Sequence, residues 1–130
     1  MSSENHQEVQ YFTTESMKDF PFSEAVRVGN MLYLSGQIGI DSSLKLVPGG
    51  IKAETQKVAE NIKGTLEQCG SSLDQVIKVT VMLVDISEWG EMNDVYVKFF
   101  PKNKPARSSF SANGLAMGAR VEIECTAVVK

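Results

Sequence analysis

Three ionisable residues in the last quarter of the chain carry most of its capacity for chemistry. Arg107 stands in the run KNKPARSSF, Lys102 to Phe110, and Glu122 and Glu124 stand in RVEIECTAVV. A guanidinium stays protonated at any physiological pH and is costly to bury alone. An arginine placed where the chain turns into an apolar strand therefore calls for an anion beside it. That anion is either a carboxylate of the protein or one brought by a ligand. Strand periodicity sets Glu122 and Glu124 on one face, against Val121, Ile123, Cys125 and Ala127 on the other. Two readings fit these residues. In the first, the acids lie on a solvated strand face, or one of them forms a structural ion pair with Arg107 or Arg120. In the second, Arg107 and a glutamate are separate tools. The guanidinium fork holds a small carboxylate by two parallel charge-assisted hydrogen bonds, and a half-buried glutamate holds and activates a water. Gly36, Gly39 and Gly114 would let backbone approach a ligand closely, although turns and bulges use glycine as well.

Other routes to catalysis are poorly supplied. The single histidine, His6, sits in a polar N-terminal stretch, which leaves a histidine-based triad or zinc site with little to work with. Cys69 and Cys125 have neither CxxC spacing nor a nearby histidine; Cys69 falls at helical spacing on an apolar face and Cys125 alternates with apolar neighbours in a strand, as small buried hydrophobes do. The 130 residues suit one domain, 1–130, with residues 1–8 a frayed tail. A formal net charge of -3 gives no global attraction to nucleic acid or an anionic membrane. No apolar run approaches the roughly 18 residues that a membrane span needs. MSSENHQEVQ has no signal-peptide core, and Glu4, Glu8 and Glu15 precede the first arginine, Arg27, against the pattern of a transit peptide. A cytoplasmic location is expected.

The elements that must position these residues follow from pattern. Val9 to Phe12 and Ser23 to Val28 read as strands, and Gly29-Asn30 as a two-residue turn into a strand over Met31 to Ile40. Asp41 to Gly50 is a loop. Val58, Ile62, Leu66 and Cys69 make a helical stripe over Ile51 to Cys69, with Gly70 as its stop. Val76 to Val84 is rich in β-branched residues and reads as a central strand. Ser87 is the expected cap of a second helix whose buried stripe is Trp89, Met92, Tyr96, Phe99 and Phe100, ended by Pro101. Ala106 to Ser111 and Arg120 to Val129 are the final strands. The order β-β-β-α-β-α-β-β predicts an α+β sandwich with two helices on one face of a mixed sheet. Two helices cannot cover both faces, and Met31, Tyr33, Met82 and Val128 remain on the other, so a closed homo-oligomer is expected.

These residues also carry a resemblance. PARSSF at Pro105 to Phe110, then Leu115, then Val121-Glu122-Ile123, resembles the C-terminal signature of the RidA family, also called YjgF. Gly29-Asn30-Met31 leading into Ser35-Gly36-Gln37-Ile38 is similar to that family's N-terminal hairpin, and the match runs over almost the whole chain. The resemblance implies a homotrimer of chorismate-mutase-like subunits with clefts at the subunit interfaces. It implies hydrolysis of reactive 2-enamine and 2-imine intermediates, such as 2-aminoacrylate, to 2-keto acids and ammonia, without cofactor or metal. Carried over by position, Arg107 binds the substrate carboxylate and Glu122 positions and deprotonates the attacking water. The backbone at Ser109 helps hold the imine nitrogen or the water, and Ser35, Asn93 and Phe22 line the pocket, with Gly36 giving close access. Ser109 stands where the family often has cysteine, Phe22 where many members have tyrosine, and Asn113 where a small or basic residue is usual.

Two other functions remain in view. Some members of the family are described as endoribonucleases or translation inhibitors. Lys98, Lys102, Lys104 and Arg107, interleaved with Phe99 and Phe100, give that reading its local support. A cleft built on Arg107 would also serve a non-catalytic module that binds a small keto or amino acid.

Overall fold

The computed structural model describes residues 8–130, so the expected tail over residues 1–8, His6 included, lies outside it except for the exposed Glu8. The strands are β1 (Val9–Phe12), β2 (Ala25–Val28), β3 (Met31–Gln37), β4 (Val76–Leu83), β5 (Ala106–Ser111) and β6 (Val121–Val128). The helices are α1 (Gly50–Gln68) and α2 (Trp89–Tyr96). Six strands form one sheet in the order β1-β2-β3-β6-β4-β5. Every pairing is antiparallel except β4 with β5, which is parallel and bridged by α2. The α+β architecture and the element order are those expected. No helix among the described residues is long and apolar enough to cross a membrane.

Side-chain alternation decides which face the helices cover. Val121, Ile123, Cys125 and Ala127 of β6 and Val79, Val81 and Leu83 of β4 are buried, and they meet Val58, Ile62 and Leu66 of α1 and Met92 and Tyr96 of α2 in one hydrophobic core. The opposite face keeps Tyr33 and Phe110 exposed, with Met31, Met82 and Val128 half-buried. The β2–β3 hairpin closes on Gly29-Asn30 as expected, with Val28 paired to Met31 and φ of 60° at Gly29. Helix α1 stops where Gly70 takes a φ of 83° and Ser71 N donates back to Leu66 O.

Three expectations need correction. The third strand does not run to Ile40. Leu34 pairs with Cys125 but Gln37 pairs with Ile123, so Ser35 and Gly36 together oppose Glu124 in a β-bulge that bends the strand away. Ser87 does not cap the second helix: Asp85 caps a 3-10 turn that leads into it, and the helix's own N-cap, Glu88, makes no side-chain capping bond. The Asp85 carboxylate accepts from Ser87 N at 2.9 Å, a single 3-10 turn follows, and the helix proper begins at Trp89. It ends at Tyr96 because Lys98 N and Phe99 N donate to carbonyls three residues back, tightening the last turn ahead of Pro101. Trp89 is therefore not part of the buried stripe. It enters at the first helical residue and is 45% exposed.

Leu66 is fully buried at the centre of the α1 stripe. Leu66→Ala is expected to cost about 2–5 kcal/mol of stability through lost burial and an unfilled cavity. Chemical denaturation followed by circular dichroism measures it.

Candidate active site

The expected site residues fall into two groups. Arg107 lies on β5 opposite Val79, a core residue, and so projects to the helix-covered side at the edge of the sheet. Its Nη1 donates to Asn93 Oδ1 at 2.7 Å, and its guanidinium carbon lies 4.6 Å from the centre of the Tyr96 ring and 5.6 Å from that of Trp89. Trp89, Asn93 and Tyr96 are spaced four and three residues apart on α2, which places all three on one helical face. The stacking on Tyr96 contributes about 0.5–2 kcal/mol and, with the Asn93 bond, fixes the plane of the fork. Among the described residues no carboxylate pairs with Arg107, and its other N–H donors have no acceptor. Ser109, two residues on and level with Val81, has a buried hydroxyl with no hydrogen-bond partner, as does Tyr96. Burial raises the Tyr96 phenol above its ordinary range, with the Arg107 charge opposing it.

Glu122 belongs to the second group. It pairs with Met82, between the core residues Val121 and Ile123, and projects to the side away from the helices. There it lines a cavity of about 310 Å³ with Phe22, Ser35 and Gly36. The bulge brings the Gly36 backbone against it. A Cβ at position 36 would overlap the Glu122 carboxylate where it now lies and would displace it. Ser35 Oγ donates to Ser23 O at 2.6 Å and so ties the bulge to the segment carrying Phe22. Glu122 has no hydrogen-bond partner among the described residues. Burial, and secondarily the charge of Glu124, raises its carboxyl above the ordinary range.

Within one chain, then, Arg107, Asn93 and Ser109 come together, and Phe22, Ser35, Gly36 and Glu122 come together, but the two groups occupy opposite faces of the sheet. The structural ion pairs considered for Glu122 and Glu124 do not form. Arg120 instead forms a two-pronged pair with Glu88, with Nη2 and Nε at 2.7 and 2.9 Å from the two carboxylate oxygens. Asn93 does more than line a wall, since it holds the fork of Arg107. Tyr96 and Trp89 were expected only as packing, although their spacing with Asn93 was the available signal. Cys69 and Cys125 are buried, and burial pushes the Cys125 thiol up to about 12, as inert packing thiols should be.

Comparison with known proteins finds relatives over most of the chain, in sequence and in structure. The family model described as endoribonuclease L-PSP matches residues 14–129. A RutC family protein of Pyrococcus abyssi is 42% identical over 118 residues, 89% of this chain and 93% of that one. A protein of Mus musculus named 2-iminobutanoate/2-iminopropanoate deaminase is 40% identical over 109 residues, 83% and 81% of the two chains. The crystal structure of RidA from an Antarctic Psychrobacter superposes with a TM-score of 0.86 at 36% identity, covering 92% of this chain and 99% of that one.

Because Glu124 contributes to the raised carboxyl of Glu122, Glu124→Gln should lower it. Carboxyl-carbon NMR titration is expected to show Glu122 titrating above 4.5 in the wild type and at lower pH in the variant.

Proposed function

The chain belongs to the RidA/YjgF family, and from that membership we propose that it hydrolyses reactive 2-enamine and 2-imine intermediates, such as 2-aminoacrylate, to 2-keto acids and ammonia. The observation that carries this reading is the pair of unmet demands in one chain. Arg107 is held by Asn93 and Tyr96 yet faces no carboxylate, while Glu122 lines a cavity yet has no donor. In a closed ring of three copies, the open sheet faces cover one another and the Arg107 edge of one copy meets the Glu122 cavity of the next. Each interface cleft then holds one small anion and one water.

The chemistry asks little of the protein beyond placement. Arg107 takes the substrate carboxylate in its fork, which aligns the adjacent electrophilic imine carbon. Glu122, ionised, accepts a proton from water as the oxygen bonds to that carbon, giving a tetrahedral aminoalcohol. The same carboxyl returns the proton to nitrogen. Glu122 then carries the remaining hydroxyl proton to nitrogen, and the C–N bond breaks with its electron pair leaving as ammonia while the carbonyl closes. A carboxyl raised by burial is the better base, because its basicity lies nearer neutral pH. The backbone at Ser109, on the same strand face as Arg107, helps hold the nitrogen or the water.

The ribonuclease reading, to which the family description points, finds less support. Phe100 is buried in the core and Phe99 packs against it, which leaves Lys98, Lys102 and Lys104 without an aromatic platform on which bases could stack.

The test generates imines in solution with an amino-acid oxidase or dehydratase and follows keto-acid release. Arg107→Ala and Glu122→Gln are each expected to lose nearly all acceleration while size-exclusion chromatography shows the assembly intact. Co-refolding the two inactive variants in equal amounts should recover about a quarter of the wild-type rate, because one cleft in four draws both intact residues from different copies. No recovery in a mixture shown to have exchanged subunits would overturn the shared cleft. Added salt should leave the rate nearly unchanged, whereas RNA binding would weaken steeply.

A further inference from the structure

The cavity beside Glu122 has a chemical character that the hydrolysis itself does not require. Its wall is built from Met17, Phe20, Phe22, Ile40 and Met117, with the Phe20 and Phe22 rings 5.7 Å apart and tilted by 39°. The polar groups that share the lining are turned to the protein. Ser35 Oγ donates to Ser23 O, Gln37 Nε2 donates to Thr65 Oγ1 at 3.0 Å, and the Glu24 carboxylate accepts from Thr14 N and Oγ1 at 2.6 and 2.7 Å. Glu122 is thus the one lining side chain with a polar head and no partner among the described residues. The volume, about 310 Å³, is several times the roughly 30 Å³ that a water occupies in the liquid, and far more than a methylene or methyl substituent fills.

A site with one reactive group at its edge and apolar walls beyond it suits a substrate of the same division. We infer that this chain's preferred substrates are 2-imino acids with a bulky apolar side chain, branched aliphatic or aromatic, seated against Phe20, Phe22 and Met117 while the imine carbon lies at Glu122. The inference rests on the hydrolase reading above and sets its substrate class. The smallest imines still reach Arg107 and Glu122, but they leave the wall wet and forgo the binding that improves orientation at the reacting carbon. Met17, at the end of a single 3-10 turn, and Phe20 come from the segment between β1 and β2, so that segment acts as the selectivity wall.

The measurement compares kcat/KM for imines made in situ by an amino-acid oxidase from alanine, leucine and phenylalanine. The leucine and phenylalanine imines are expected to exceed the alanine imine by ~10-fold or more, the scale on which apolar pockets sort substrates by added methylenes. Phe20→Ala should reduce that preference by about fivefold or more, and Phe20→Leu should retain it. Phe20 is 41% exposed, so both variants are expected to fold, with thermal melting as the check. Acceleration of all three imines with no preference, with preference for alanine's, or with a ratio indifferent to Phe20→Ala overturns this inference and leaves the hydrolase reading standing. No acceleration of any imine overturns the hydrolase reading itself.

Discussion

The pleat of β6 governs the molecule. Its odd-numbered residues from Val121 to Ala127 enter the core beneath the two helices, which obliges Glu122 and Glu124 to the other side. Arg107 is under the opposite obligation, because β5 runs level with the buried half of β4 and the fork packs on α2. No rotamer change brings the two together through a closed sheet. The arginine and the glutamate are each well supported by their surroundings, and neither is satisfied by them.

The supports differ in kind. Arg107 is made rigid by an aromatic ring below and an amide at one tip, both from a short helix whose position depends on the Asp85 cap and the tightened last turn. Glu122 is made responsive by its neighbours. It is partly withdrawn from water, pressed by the backbone of a bulge, and set two residues from a second carboxylate on the same strand face. Those conditions favour uptake of a proton and its later release, while the conditions around Arg107 favour a permanent charge in a permanent place. A division of labour between an anchor and a proton carrier is thus built into the packing, before any ligand is considered.

Much of this was legible in local pattern. The alternation in RVEIECTAVV, the stripe from Val58 to Cys69 and the Gly29-Asn30 turn each follow from one element's own chemistry, and each formed as expected. Relations between elements were not legible. Whether Arg107 and Glu122 share a face depends on the order of strands, which joins residues far apart in sequence. The bulge at Ser35 and Gly36 is a register event visible only against β6, so the strand appeared three residues longer than it is. Trp89 keeps helical spacing with Asn93 and Tyr96, but as the first helical residue it stays exposed beside Arg107 instead of entering the core. The segment from Thr13 to Glu24 has neither period and so gave no hint that Met17 and Phe20 stand beside Glu122.

The position of β6 has a bearing on how the molecule comes into being. It follows the other five described strands in the chain, yet it occupies the middle of the sheet, between β3 and β4. Until it arrives, a three-stranded meander and a two-stranded parallel unit have no ladder joining them. The two halves of the sheet are therefore joined only once residues 121–128 pair, and a chain lacking them presents two unpaired strand edges to whatever lies nearby.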